Sequence, residues 1–256
     1  MLFMDDSRLF RAYYNASLQH KLPAANSASP IVLNNTFADW ADHISYYVKN
    51  RHLDVDERYQ EGKDKELFEL AQTHARVYER EIESSMVIML THPLYLSLSH
   101  MNYIDSDEGR RDVEKYEDDL LHLLSMNKSS QSRVGVVLLE TLHHYAAASS
   151  LLVEAGLVDR VVFTEYDSGI PLNLRELKDF SGKRIYFGGG YNGRCLKNSM
   201  DCMAARTSSK LIFGISDLVL NSPQYYGGRV RVSRIDDFVA KRTVTLEEAM
   251  RRFNLV

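Results

Sequence analysis

At 256 residues, 45% hydrophobic and 26% charged, the chain has enough apolar material for a large core that needs no disulfide staples. A formal charge of −4 gives no broad positive field, which argues against a nucleic-acid partner, and no segment reaches the ~18 consecutive apolar residues of a membrane span. The two cysteines, Cys195 and Cys202, fall on one predicted helix roughly 10 Å apart, beyond disulfide reach, and the acidic start MLFMDDSRLF is unlike a signal peptide, so a reducing compartment, the cytoplasm, is expected.

In chain order, the small and polar stretch 23–30 reads as a loop, and a helix is predicted from Thr36, with Phe37, Trp40, Ile44, Tyr47 and Val48 on one face. A second helix is predicted over 64–83, with Leu67, Leu70, Ala71, His74, Val77, Tyr78 and Ile82 on one side. Residues 1–83 are therefore expected to form a helical N-terminal extension lying on the main domain.

From residue 84 to 256 short apolar runs alternate with amphipathic helices, the pattern of a parallel sheet covered on both faces. The runs are Met86–Leu90, Val134–Leu139, Val161–Thr164, Arg184–Phe187 and Leu211–Ile215. Between the first two, Asp105 or Asp107 can cap a helix carrying Val113, Tyr116, Leu120, Leu123 and Leu124, with the charge run Asp112–Asp119 as its wet face. Gly156 can end the next helix, and Thr245 with Glu248 makes a capping box for the last. After Pro223, the turn Tyr226-Gly227-Gly228 leads to a strand candidate at 229–233. The fold expected is a three-layer, Rossmann-like α/β domain with a mostly parallel sheet of five or six strands.

In such a sheet, ligands lie beyond the C-terminal ends of the strands. The residues after the five runs are Thr91 and His92; Glu140, Thr141, His143 and His144; Glu165, Asp167 and Ser168; Gly188 to Cys195; and Ser216 with Asp217. In the fourth group Gly188, Gly189, Gly190, Asn192, Gly193 and Arg194 lead into a helix, where free backbone amides favour an anionic small molecule. Gly188, Gly190 and Gly193 fit G-x-G-x-x-G, and Asp217 follows near where a ribose-binding acid would sit, so a nucleotide or dinucleotide-binding loop is one expectation and a ligand-free tight turn another. No cofactor follows from the sequence alone.

Cys195 lies at or near the predicted helix start beside Arg194, where dipole and cation both favour a thiolate; as a small apolar residue it is equally suited to a buried position. From about 134 to 220, the order of elements resembles the isochorismatase-like cysteine hydrolases: a strand ending in an acid, a second strand, a strand followed by glycine and a cysteine six later, and a strand ending in Asp. The resemblance implies a nucleophile at Cys195, a loop beginning at Gly189, and Glu140 in place of the general-base Asp. No lysine lies between Asp167 and Leu174, where that family's catalytic lysine is expected.

His92, Glu140 and one of the adjacent His143 and His144 can converge for acid–base work, although their spacing matches no standard metal site. Glu165 to Gly169 suits either a hydroxylated ligand or plain turn chemistry. These readings combine into a small-molecule enzyme at the sheet edge, a cysteine-dependent hydrolase with Glu140 or His143 as proton acceptor and Asp167 and Asp217 among its ligand contacts. The alternatives are a nucleotide-binding protein, or a non-catalytic oligomer or scaffold subunit using the N-terminal helices; separately, Tyr46, Tyr47, Tyr225 and Tyr226 suit either an interface or scattered aromatic packing.

Overall fold

A computed structural model describes residues 61–94, 107–145, 149–165, 168–220 and 242–256. Along them run α1 (Glu61–Tyr78), β1 (Met86–Thr91), α2 (Asp107–Ser129), β2 (Gly135–Thr141), the single turn α3 (Leu142–His144) and α4 (Ser150–Glu154). There follow β3 (Arg160–Thr164), a 3-10 helix at Leu174–Phe180, β4 (Arg184–Gly190), α5 (Cys195–Ala204), β5 (Ile212–Leu220), β6 (Thr243–Val244) and α6 (Leu246–Arg252). The helix expected from Thr36, the turn and strand expected at 226–233, and the four tyrosines lie outside these residues.

Each of the five apolar runs is a strand, and a sixth, short strand joins them in one all-parallel sheet of order β3-β2-β1-β4-β5-β6. The runs are continuously apolar because both faces of the sheet are covered. Ile88, Leu90, Val136, Leu138 and Phe163 pack with α1, α2, α4 and α6 on one face. Their strand neighbours Val87, Met89, Val137, Leu139 and Val162 pack with the 3-10 helix and α5 on the other. The result is the three-layer α/β arrangement that the sequence predicts.

Helix α1 ends at Tyr78, short of the expected 83, yet it belongs to the first outer layer: Ala71 and Ala75 are in that core, and Phe68 meets Phe163 edge-on at 5.7 Å. Val77, placed on the inward side by periodicity, is 63% exposed. In α2 the five predicted apolar residues are buried, but the wet face is interrupted by Glu117, only 2% exposed. Thr245 Oγ1 accepts from the Glu248 amide at 3.2 Å, which is one half of the predicted capping box. Among the described residues no helix is long and apolar enough to cross a membrane.

The order reverses between β1 and β4, since successive strands move outward through β2 and β3 on one side and through β5 and β6 on the other. There the glycines depart from expectation. Gly188, Gly189 and Gly190 are not a loop but the buried end of β4, with Gly188 and Gly189 paired to Leu90 and Thr91 of β1, and Gly189 and Gly190 paired to Val219 and Leu220 of β5. A Cβ on Gly189 would stand 1.9 Å from the Thr91 carbonyl oxygen, at a φ of 102° that side chains avoid.

Gly189→Ala should therefore cost at least about 3 kcal/mol or prevent folding, through overpacking on backbone atoms that cannot yield. Gly182 is also at positive φ, but nothing lies within 4 Å of the point a Cβ would occupy, so alanine there should cost only about 1 kcal/mol. Urea denaturation of the two variants checks the ranking, and equal costs would contradict it.

Candidate functional site

Each of the first three strands ends on a buried threonine, Thr91, Thr141 and Thr164. Beyond β2, Thr141 Oγ1 accepts from the His144 amide at 3.2 Å and so caps the single turn α3. That turn directs the chain back over the strand end and leaves His144 Nδ1 3.4 Å from Glu140 Oε1. Glu140 itself has no exposed surface. Its Oε2 accepts from Ser149 Oγ at 2.8 Å and its Oε1 from the Thr141 amide at 3.0 Å.

His92 reaches the same place from β1. Its amide donates to the Leu139 carbonyl at 2.9 Å, its Nε2 lies 2.9 Å from Thr164 Oγ1, and its ring centroid is 5.9 Å from that of His144. To span the end of β2 in this way its backbone takes the left-handed conformation, φ 42°, uncommon away from glycine and a recurrent mark of functional sites. The next layer out holds the turn in place. Tyr145 packs against Phe163 at 5.2 Å, its hydroxyl lies 2.7 Å from His74 Nδ1, and His74 Nε2 lies 3.1 Å from Glu154 Oε1.

Burial sets the protonation of this group. It pushes the Glu140 carboxyl up to about 6, against the lowering effects of His92, Ser149 and the Thr141 amide. It pulls the His92 imidazole down to about 4, with Glu140 opposing and His144 assisting. Thr91 Oγ1 and Ser150 Oγ are buried with no hydrogen-bond partner among the described residues. An orphaned hydroxyl of this kind calls for a water or a ligand atom.

The residues named from sequence divide unevenly. Cys195 is the first residue of α5, beside Arg194 at the N-cap, as expected, but only 2% of it is exposed. The amides expected to greet a ligand are in good part committed: Asn192 donates to Leu220 at 2.8 Å, and Arg194 and Leu196 donate to Tyr191 at 3.0 and 3.3 Å. With Gly188 and Gly190 inside β4, only the exposed Gly193 of the three fingerprint glycines sits in a turn.

Asp217 lies in the middle of β5 rather than after it, and accepts from the Leu246 amide at 2.8 Å, so it caps α6 instead of facing a ligand crevice. Ser168 Oγ bonds Glu165 Oε2 and accepts from the Ile170 amide, both at 3.1 Å, which is turn chemistry. Asp167 and the His143 side chain lie outside the described residues.

Glu140 and Cys195 are not brought together along the sheet. The strand that leads to Cys195 is separated from β2 by β1, two spacings or roughly 10 Å. The convergence of His92, Glu140 and one of the paired histidines does occur, and the imidazole is that of His144. Ser149 and Thr164 were missed by sequence reasoning; the repeated threonine at the end of three apolar runs is the signal that could have found the latter. Among the described residues no group of three or more His, Cys, Asp or Glu is placed to hold a metal ion. No protein-family model matches the chain, and no curated protein or solved structure matches it.

The two buried titrating groups make opposite demands on pH. Glu140 holds its proton more tightly folded than unfolded, so its contribution to stability is present below pH 4.5 and is lost as pH rises through 6. His92 runs the other way, with a contribution present above pH 6.5 and lost as pH falls through 4. Difference curves of stability against pH should therefore slope oppositely: wild type minus Glu140→Gln falls by about 2 kcal/mol with rising pH, and wild type minus His92→Asn rises by about 3 kcal/mol. Flat curves would contradict the assignment. Thr91→Val, by removing an orphaned hydroxyl, should stabilise the free protein by about 1 kcal/mol, and a lower melting temperature would show that the hydroxyl is satisfied.

Proposed function

We propose that the protein is a small-molecule enzyme whose acid–base group is Glu140, acting with His92 and His144 at the C-terminal edge of β1, β2 and β3. The observation that carries this reading is a carboxyl with no exposed surface, held by Ser149 and the Thr141 amide and faced by an imidazole nitrogen at 3.4 Å. A carboxyl raised to about 6 is poised to exchange protons near neutrality, which an exposed glutamate is not. Above that pH the carboxylate accepts a proton from substrate or from an attacking water, and returns it to the leaving group as bonds break. The strand-order reversal between β1 and β4 is the location at which open α/β sheets bind ligands, and His92 extends directly from β1 at that point.

A hydrolase centred on Cys195 is the second reading. Its support is the position of the thiol at the first residue of α5 beside Arg194, where the helix dipole and a cation favour the thiolate. Its burial, like that of Glu140, requires local opening before a substrate can reach the reacting atom.

The two readings separate in one experiment. Turnover is first found with a panel of chromogenic esters, amides and glycosides, and kcat is then compared in two variants whose circular dichroism matches the parent. Glu140→Gln should lower kcat by about 10²–10⁴ while Cys195→Ala stays within a few-fold. Full turnover in Glu140→Gln would sink the carboxylate reading, and loss confined to Cys195→Ala would establish the thiol.

A further inference from the structure

His92 and Thr164 form a closed polar pair at the sheet edge. The imidazole Nε2 lies 2.9 Å from Thr164 Oγ1, and each residue is 3% exposed. Among the described residues this is the only hydrogen bond that either the Thr164 hydroxyl or the His92 ring makes, so Nδ1 has none. The backbone of His92 is set by its left-handed φ of 42° and by its amide, which donates to the Leu139 carbonyl at 2.9 Å.

Thr164 is held as firmly from its own side. It is the last residue of β3 and forms an antiparallel bridge with Pro171, while the Leu172 amide donates to Phe163 at 2.9 Å and the Glu165 amide to Ile170 at 2.8 Å. Helix α5 pins the turn: Asn198 Nδ2 donates to the Ser168 carbonyl at 2.8 Å, and Ser199 Oγ to that of Gly169 at 2.7 Å. The hydroxyl is thus a fixed point beside Nε2.

Donors and acceptors in the pair then decide where the ring proton sits. Burial pulls His92 down to about 4, so near neutrality its ring carries a single proton. With that proton on Nε2, the ring donates to Thr164 Oγ1 and the buried hydroxyl hydrogen has no acceptor among the described residues. With the proton on Nδ1, the hydroxyl donates to Nε2 and the pair is satisfied. Glu140, whose charge acts on the ring, and His144, with its ring centroid at 5.9 Å, are the titratable groups beside it.

We infer that His92 serves this edge as a hydrogen-bond donor through Nδ1, and that Thr164 is the positioning residue that fixes this tautomer. The inference rests on the reading of this edge as the functional site, and it adds the role of His92. While Glu140 takes up a proton, Nδ1–H donates to a ligand oxygen, which suits a carbonyl or another group whose oxygen gains negative charge as it reacts.

Nitrogen NMR of the imidazoles at a pH of about 7.5 tests it, with the His92 resonances identified by their loss in His92→Asn. The two nitrogens of a neutral ring differ according to which bears the proton, so the wild-type spectrum reads the tautomer without any change at Thr164. Wild-type His92 should be protonated on Nδ1. Thr164→Ser, which keeps the hydroxyl, should match it, and Thr164→Val should move the tautomer ratio toward Nε2 by about tenfold. A wild-type ring protonated on Nε2, or a ratio unchanged in Thr164→Val, would overturn the inference. Should the proton sit on Nε2 while turnover still requires Glu140, the role given to His92 is wrong and the acid–base reading survives. The expected spectra with full turnover in Glu140→Gln would remove the acid–base reading and keep the tautomer and its positioning residue.

Discussion

A carboxyl with no exposed surface must be answered by its neighbours, and the chain after the first three strands is arranged around that demand at Glu140. Ser149 and the Thr141 amide supply two donors, while Thr141 also caps the turn that carries His144 back over the strand end. His92 accepts a left-handed backbone in order to reach Thr164 and lie across the same group.

The same demand reaches the outer layer. The turn bearing His144 continues into Tyr145, which is wedged against Phe163 and tied through His74 to Glu154. The two ring nitrogens of His74 thus bridge the Tyr145 hydroxyl and the Glu154 carboxylate, and both of its polar contacts are made. Helix α1, which supplies His74, thereby supports the edge as well as covering β3. A boundary at residue 83 divides the chain by its sequence pattern, whereas the packing of Ala71 and Ala75 joins α1 to the core of the α/β unit.

Much of the fold is legible because a strand buried on both faces must be apolar at every position, which makes the five runs stand out from amphipathic helices. What the sequence hides is lateral order. In sequence β2 and β4 are separated by β3, and nothing local reveals that β1 comes to lie between them and parts Glu140 from Cys195. The glycines mislead for a related reason. Glycine is common in turns and rare in strands, but here its missing side chain admits Thr91 of β1, Leu218 and Leu220 of β5, all remote in sequence. The two-residue β6 is too short to leave a periodic signal.

Those glycines also explain why Asp217 ends where it does. Phe187 pairs with Gly214 and Gly189 with Val219, so the stretch 215–218 of β5 lies opposite Gly188 alone and must bulge. The bulge tucks Leu218 against Gly188 and turns Asp217 toward the Leu246 amide and Lys115, whose Nζ is 3.8 Å away. A side chain at 188 would push Leu218 out and carry Asp217 with it, leaving α6 with only its Thr245 cap. The glycine-rich end of β4 is thus a packing device for one half of the sheet, and it leaves the polar chemistry of the edge to the other half, where β2 ends beside the buried acid of Glu140.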